Sequence, residues 1–110
     1  MPEPVTRFDL KDIPAREMQP GFSGKFLHAE TTTLAYFTIK SGSVSPPHSH
    51  PHRQVVNILE GEMEMTVGGA VHRLGPGQIL AIPGDVEHSA RALTNARVLD
   101  VFTPVREDYR

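Results

Sequence analysis

A chain of 110 residues with a formal net charge of −2 and no cysteine is sized for one domain with a single two-layer core. Its charges are scattered, which excludes a polybasic nucleic-acid or membrane footprint, and the lack of cysteine excludes disulfides, thiolate catalysis and thiolate–metal sites. The N-terminus MPEPVTRFDLKD is too polar for a signal peptide and no run is long enough to span a bilayer, so a soluble cytoplasmic protein is expected.

Ten prolines and nine glycines cut the chain into short pieces, none of which sustains a helical apolar period. Residues 1–20, with prolines at 2, 4, 14 and 20, are expected to form a polar arm with one short strand. Phe22–Leu27 and Leu34–Lys40 have the β-branched and aromatic content of strands. After SGSVSPP the chain should enter a strand carrying His48 and His50, followed by a strand from Gln54 to Leu59. Glu60-Gly61 suggests a tight hairpin into EMEMTV, and Gly68-Gly69 a two-residue hairpin into AVHRL. Gly75-Pro76-Gly77 and Gly84-Asp85 bracket QILAIP, and Asn95 turns the chain into ARVLDVFTPV. The polar ending REDYR is expected to close over one end. Many short strands with turn signals between them indicate an all-β sandwich or barrel.

Chemistry concentrates in GSVSPPHSHPHRQVVNILEG, residues 42–61. Side chains two apart on a strand share a face, so His48 and His50 can aim at one point, with Gln54 in phase. His88, in AIPGDVEHSA, supplies a later imidazole. Imidazole nitrogen and an amide oxygen suit a divalent metal, so His48, His50, Gln54 and His88 are the candidate ligands. Nickel, zinc, manganese and iron all fit this donor set. Gln54 could instead hydrogen-bond a ligating histidine. Four neutral ligands would leave the ion's charge uncompensated, favouring an anionic substrate and Lewis-acid chemistry over high-valent redox chemistry. His52 has an ambiguous direction beside Pro51, with a solvent-facing ring as the simpler expectation. His72 should be exposed, and His28 structural.

Asp100 interrupts the apolar run VLDVF, and alternation puts it on one face with Val98 and Phe102. A buried carboxylate is costly unless paired or functional. It either pairs with Arg106 or Arg91, or serves as a general acid–base. Phe102 suits core or a pocket wall, Met63 and Met65 core filler, and Arg106 either a surface charge or a carboxylate clamp.

These intervals resemble the two cupin motifs. Gly42, His48, His50, Gln54 and Gly61 match the first; Gly77, Pro83 and His88 match the second. The sequence departs from the pattern at Gln54 (usually glutamate), Asp85 (usually glycine) and Ala92 (usually asparagine). The resemblance implies an all-β double-stranded β-helix, the cupin jelly-roll barrel, with a divalent metal in its mouth and often a homodimer. On it, residues 1–110 form a single cupin domain: arm 1–20, barrel 21–104, C-terminal tail 105–110. A narrower resemblance, carried by HSHPHRQV, IPGDVEHSA and VLDVFTPVREDYR, is to small cupins of pectin and alginate breakdown. Those proteins convert 4,5-unsaturated uronate monosaccharides to linear 4-deoxy-5-keto uronates. It implies a small anionic sugar acid as substrate, with Asp100, Phe102 and Arg106 as catalytic residues. A cupin dioxygenase, dependent on iron and oxygen, and a non-enzymatic sugar-acid binding cupin are the rival expectations.

Overall fold

The computed structural model describes residues 4–110, so residues 1–3 of the expected arm lie outside the described residues. Ten strands build the fold, with two single-turn 3-10 segments and no α-helix among the described residues. The strands are β1 (Arg16–Gln19), β2 (Phe22–Ala29), β3 (Thr32–Ile39), β4 (Val44–His48), β5 (Arg53–Glu60), β6 (Met63–Val67), β7 (Ala70–Leu74), β8 (Ile79–Ile82), β9 (His88–Ala92) and β10 (Ala96–Thr103). They form two antiparallel sheets, one ordered β1-β2-β3-β10-β5-β8 and the other β4-β9-β6-β7. The jelly roll expected from the sequence is the fold observed.

Alternation along the strands explains how the sheets meet. In β10, Ala96, Val98, Asp100 and Phe102 are buried, while the residues between them are partly or fully exposed. In β5, Gln54, Val56 and Ile58 point inward with the same period. Met63 and Met65 from β6 and Leu74 from β7 face them from the other sheet and fill the core, as expected. Phe37 receives edge-to-face contacts from Phe22 and Phe26, a geometry that aromatic quadrupoles favour.

Two expectations about connections need correction. Gly68-Gly69 does turn β6 into β7, with both glycines at positive φ. Gly61, however, does not close a hairpin, because β5 pairs with β10 and β8 while β6 pairs with β7 and β9. The chain there crosses from one sheet to the other. A turn residue marks a change of direction, and strand partners are chosen by burial across the sandwich. The expected strand through His48 and His50 also stops early: β4 ends at His48, and Ser49–His52 is an irregular connection. Proline at 51, with no N–H to donate, suits a break in the ladder.

Gly61 is required by its surroundings. Its φ is +80°, and a Cβ there would lie 2.1 Å from the Asn95 carbonyl oxygen. We expect Gly61→Ala to cost about 2 kcal/mol or more, read as a lowered midpoint in urea denaturation. An unchanged midpoint would contradict the close packing of the two crossovers.

Candidate metal centre

Three histidines from two chain segments meet at one end of the sandwich. His48, the last residue of β4, lies directly across the ladder from His88, the first of β9, and their ring centroids are 4.3 Å apart. His50, from the connection after β4, stands 5.0 Å from His88 and 5.9 Å from His48 by ring centroid. One potential ligand atom from each of the three lies within 4.8 Å of the others.

The connection is held by the turn between β8 and β9. The Asp85 N–H donates to the His50 carbonyl at 2.8 Å. Gly84 packs so closely that a Cβ would meet the Pro51 carbonyl oxygen at 2.2 Å. Asp85 itself has φ +65°, a left-handed conformation that Asp tolerates better than most side chains. The aspartate at this motif position therefore keeps the turn that a glycine would make.

Each imidazole is oriented by a backbone carbonyl. Nδ1 of His48 contacts the Pro46 oxygen at 2.8 Å, Nδ1 of His50 the His52 oxygen at 3.1 Å, and Nδ1 of His88 the Val86 oxygen at 2.9 Å. A carbonyl only accepts, so in His48 and His88 Nδ1 carries the proton and Nε2 presents its lone pair. His50 is pushed down to about 4, first by burial and then by the Arg106 guanidinium. His88 is lowered mainly by burial, against the Val86 hydrogen bond. Both rings are therefore neutral at physiological pH.

Gln54 comes from the opposite sheet. It is buried on β5, across the ladder from Phe102, and its Oε1 lies 3.1 Å from Nε2 of His50. A neutral His50 ring has one N–H for two acceptor oxygens, those of His52 and Gln54, and Nε2 of the buried His88 has no partner. A cation reconciles both observations, since it is what several converging lone pairs require. These residues fit a divalent metal.

Asp100 and Phe102 stand on the same inward face of β10, 9 % and 1 % exposed. With Arg106, Gln54, His48 and His88 they line one cavity of about 80 Å³. Burial pushes Asp100 up to about 7, opposed by the Gln54 amide and the Arg106 guanidinium. Neither expected ion pair forms. Arg91 is 3.5 Å from Glu64, and Arg106 makes a two-toothed pair with Asp108 at 2.6 and 3.1 Å. Arg106 is buried, not a surface charge; it also donates to the Tyr109 hydroxyl at 3.1 Å and stacks between Phe102 and Tyr109. The tail thus closes over one end, as expected. Thr33, wholly buried, accepts the Arg106 backbone N–H at 2.9 Å and contacts His28, which gives His28 the structural role assigned to it.

Other placements differ from expectation. His52 is half-buried against His50, at 5.5 Å between ring centroids, with its Nδ1 enclosed. His72 is half-buried in β7. Sequence reasoning gave no role to Asp108 and Tyr109, and none to Met18 and Gln19, which line the cavity from the N-terminal arm. Nothing in the polar arm marks the latter pair.

The Cupin_2 family profile, a cupin domain, matches residues 35–102. The chain belongs to the cupin family. Among solved cupins, it is similar to KdgF from Halomonas sp., with a TM-score of 0.91 and 27 % identity covering 97 % of this chain and 100 % of that one. Among curated proteins, it is 38 % identical over 71 residues to the 1-methylthio-D-xylulose 5-phosphate methylsulfurylase of Rhodospirillum rubrum, covering 64 % of this chain and 44 % of that protein. It is 35 % identical over 69 residues to the HTH-type transcriptional regulator NimR of Escherichia coli K12, covering 60 % of this chain. The matched regions make up 25 % of NimR and 44 % of the methylsulfurylase, less than half of either.

Two outcomes test this geometry. Adding a divalent ion to chelator-treated protein should raise Tm in a concentration-dependent way, with about one ion bound per chain, and His88→Ala should abolish the rise. An equal rise in the variant would place the ion elsewhere. The second outcome concerns Asp100 in metal-free protein. Burial moves its carboxyl from 3.8 to about 7, so the folded state holds the extra proton between those values. Stability then falls as pH rises through that window and levels off above it. The advantage of Asp100→Asn over the parent should grow by up to about 4 kcal/mol across the window. A pH-independent difference in denaturation midpoints would contradict a buried, uncompensated carboxylate.

Proposed function

We propose that this cupin is a metal-dependent enzyme that converts 4,5-unsaturated uronate monosaccharides to linear 4-deoxy-5-keto uronates. The observation that carries the reading is the sharing of one cavity by Gln54, His48, His88, Asp100, Phe102 and Arg106. The end-to-end likeness to KdgF from Halomonas sp., together with the narrower sequence resemblance to uronate-linearising cupins, supports it. We take residues 1–110 to act as one cupin domain, in the cytoplasm and as a homodimer, on the family resemblance.

His48, His50, His88 and Gln54 would hold one divalent ion, whose identity among nickel, zinc, manganese and iron is left open by the donor set. Bound there, the ion supplies Lewis-acid polarisation of a carboxylate or hydroxyl oxygen. Among the described residues Arg106 is the one guanidinium on the cavity wall, and the two N–H groups it does not give to Asp108 and Tyr109 would meet the uronate carboxylate. Phe102 forms an apolar wall that keeps water from the reacting carbons. Asp100 carries the proton. As the anomeric hydroxyl loses its proton, the bond from C1 to the ring oxygen breaks to give an aldehyde. The enol left at C5 becomes a ketone by gaining a proton at C4, so the overall change is an isomerisation. A carboxyl held near neutrality can both take and return such a proton.

The test follows the ultraviolet absorbance of an unsaturated uronate monomer with metal-loaded protein. We expect accelerated loss of the chromophore, abolished by chelator. Asp100→Asn should retain fold and metal while turnover falls by about 10² or more. No acceleration by fully loaded protein would sink the proposed function, and full activity in Asp100→Asn would remove its assigned role.

A further inference from the structure

We propose that Gln19, delivered by the N-terminal strand, determines specificity by accepting a hydrogen bond from a ligand hydroxyl inside the cavity. This deepens the reading given above and rests on it for the sugar-acid substrate. Among the described residues, four buried side-chain polar atoms lack a hydrogen-bond partner: Gln19 Oε1, His52 Nδ1, His88 Nε2 and Asp100 Oδ1. Gln19, His88 and Asp100 line the same cavity. Buried polar groups are otherwise almost always paired, so three orphans around one space point to partners that arrive with a ligand.

The chemistry of the orphans narrows the ligand. An amide oxygen accepts, a carboxylate oxygen accepts, and Nε2 of His88 accepts because its Nδ1 donates to Val86. A divalent ion satisfies His88 and leaves Gln19 and Asp100 wanting donors. The nearby guanidinium does not supply them: three of its five N–H groups go to Asp108 and Tyr109 and none reaches either orphaned oxygen. Gln19 Oε1 is buried and unpaired without a ligand, so a ligand hydroxyl gains a hydrogen bond there that a ligand without hydroxyls does not. The class selected is therefore a hydroxyl-bearing ligand, and an acid on the reading given above.

Local structure explains how an arm residue enters the cavity. Gln19 pairs with Phe22, while a register shift between Glu17 and Gln19 interrupts the ladder. Such a bulge lets consecutive side chains turn to one side, and Met18 and Gln19 both line the cavity.

The experiment uses metal-loaded, full-length protein and the variant Gln19→Met, which keeps volume and removes the acceptor. Ligand-free Tm should be unchanged or higher, because an unpaired amide is lost. KM for the unsaturated uronate monomer should rise roughly tenfold with kcat within about twofold, the size expected for one hydrogen bond to a buried acceptor. Calorimetry with D-galacturonate should show a similar loss, while glutarate, which has no hydroxyl, should bind both proteins equally. Unchanged KM and unchanged galacturonate affinity in Gln19→Met would overturn the inference. So would a wild type that binds glutarate as tightly as galacturonate, a comparison that does not depend on the variant folding. If the wild type binds galacturonate through Gln19 but turns over no unsaturated uronate, only the proposed reaction fails. Turnover with a KM indifferent to Gln19 removes only the present inference, and neither binding nor turnover removes both.

Discussion

A carboxylate enclosed in an apolar sandwich without a counter-charge is the constraint around which this molecule is arranged. Asp100 occupies an inward position on β10, where every neighbour in phase is apolar. Burying an ionised group there is unfavourable, so the proton is retained until near neutrality. The neighbouring Gln54 amide and Arg106 guanidinium moderate that cost without removing it. An ordinary core position would carry valine or phenylalanine, as the residues two places to either side do. The sandwich therefore gives up packing energy at one point to keep a titratable carboxyl away from bulk water.

The surrounding charges are arranged to suit. Arg106 is neutralised at one edge by Asp108 and flanked by two aromatic rings, so its charge is fixed in place. His50 and His88 are kept neutral by burial, and backbone carbonyls orient all three rings. No anionic side chain belongs to the candidate ligand set, which leaves Asp100 as the one carboxyl group lining the cavity among the described residues. On the proposed function, proton transfer falls to Asp100 and charge stabilisation to Arg106 and the ion. Separate tuning of neighbouring groups is the usual way a site performs acid–base chemistry near neutral pH.

Much of this was legible in the sequence because short-range patterns encode it. Period-two alternation located most strands and identified the face shared by Val98, Asp100 and Phe102. Glycine pairs marked the β6–β7 hairpin, where the conformation is local. The spacing of His48, His50 and His88 indicated their convergence correctly, although the route differs: His50 lies on an irregular connection instead of the β4 strand face. What alternation cannot encode is which strand pairs with which. Gly61 therefore looked like a hairpin when it is a crossover between sheets.

The sequence by itself determined the all-β class, the family resemblance, the inward face of β10 and the identity of the clustered donors, because each depends on residue type and near-neighbour spacing. Only the tertiary structure decided that Gln54 reaches the histidines from the opposite sheet, that Asp100 lacks an ion pair, and that Arg106 is clamped by Asp108. It also decided that the polar arm sends Met18 and Gln19 into the cavity. These outcomes depend on contacts between segments far apart in the chain, and no local pattern specifies which buried groups will find partners once the sheets close.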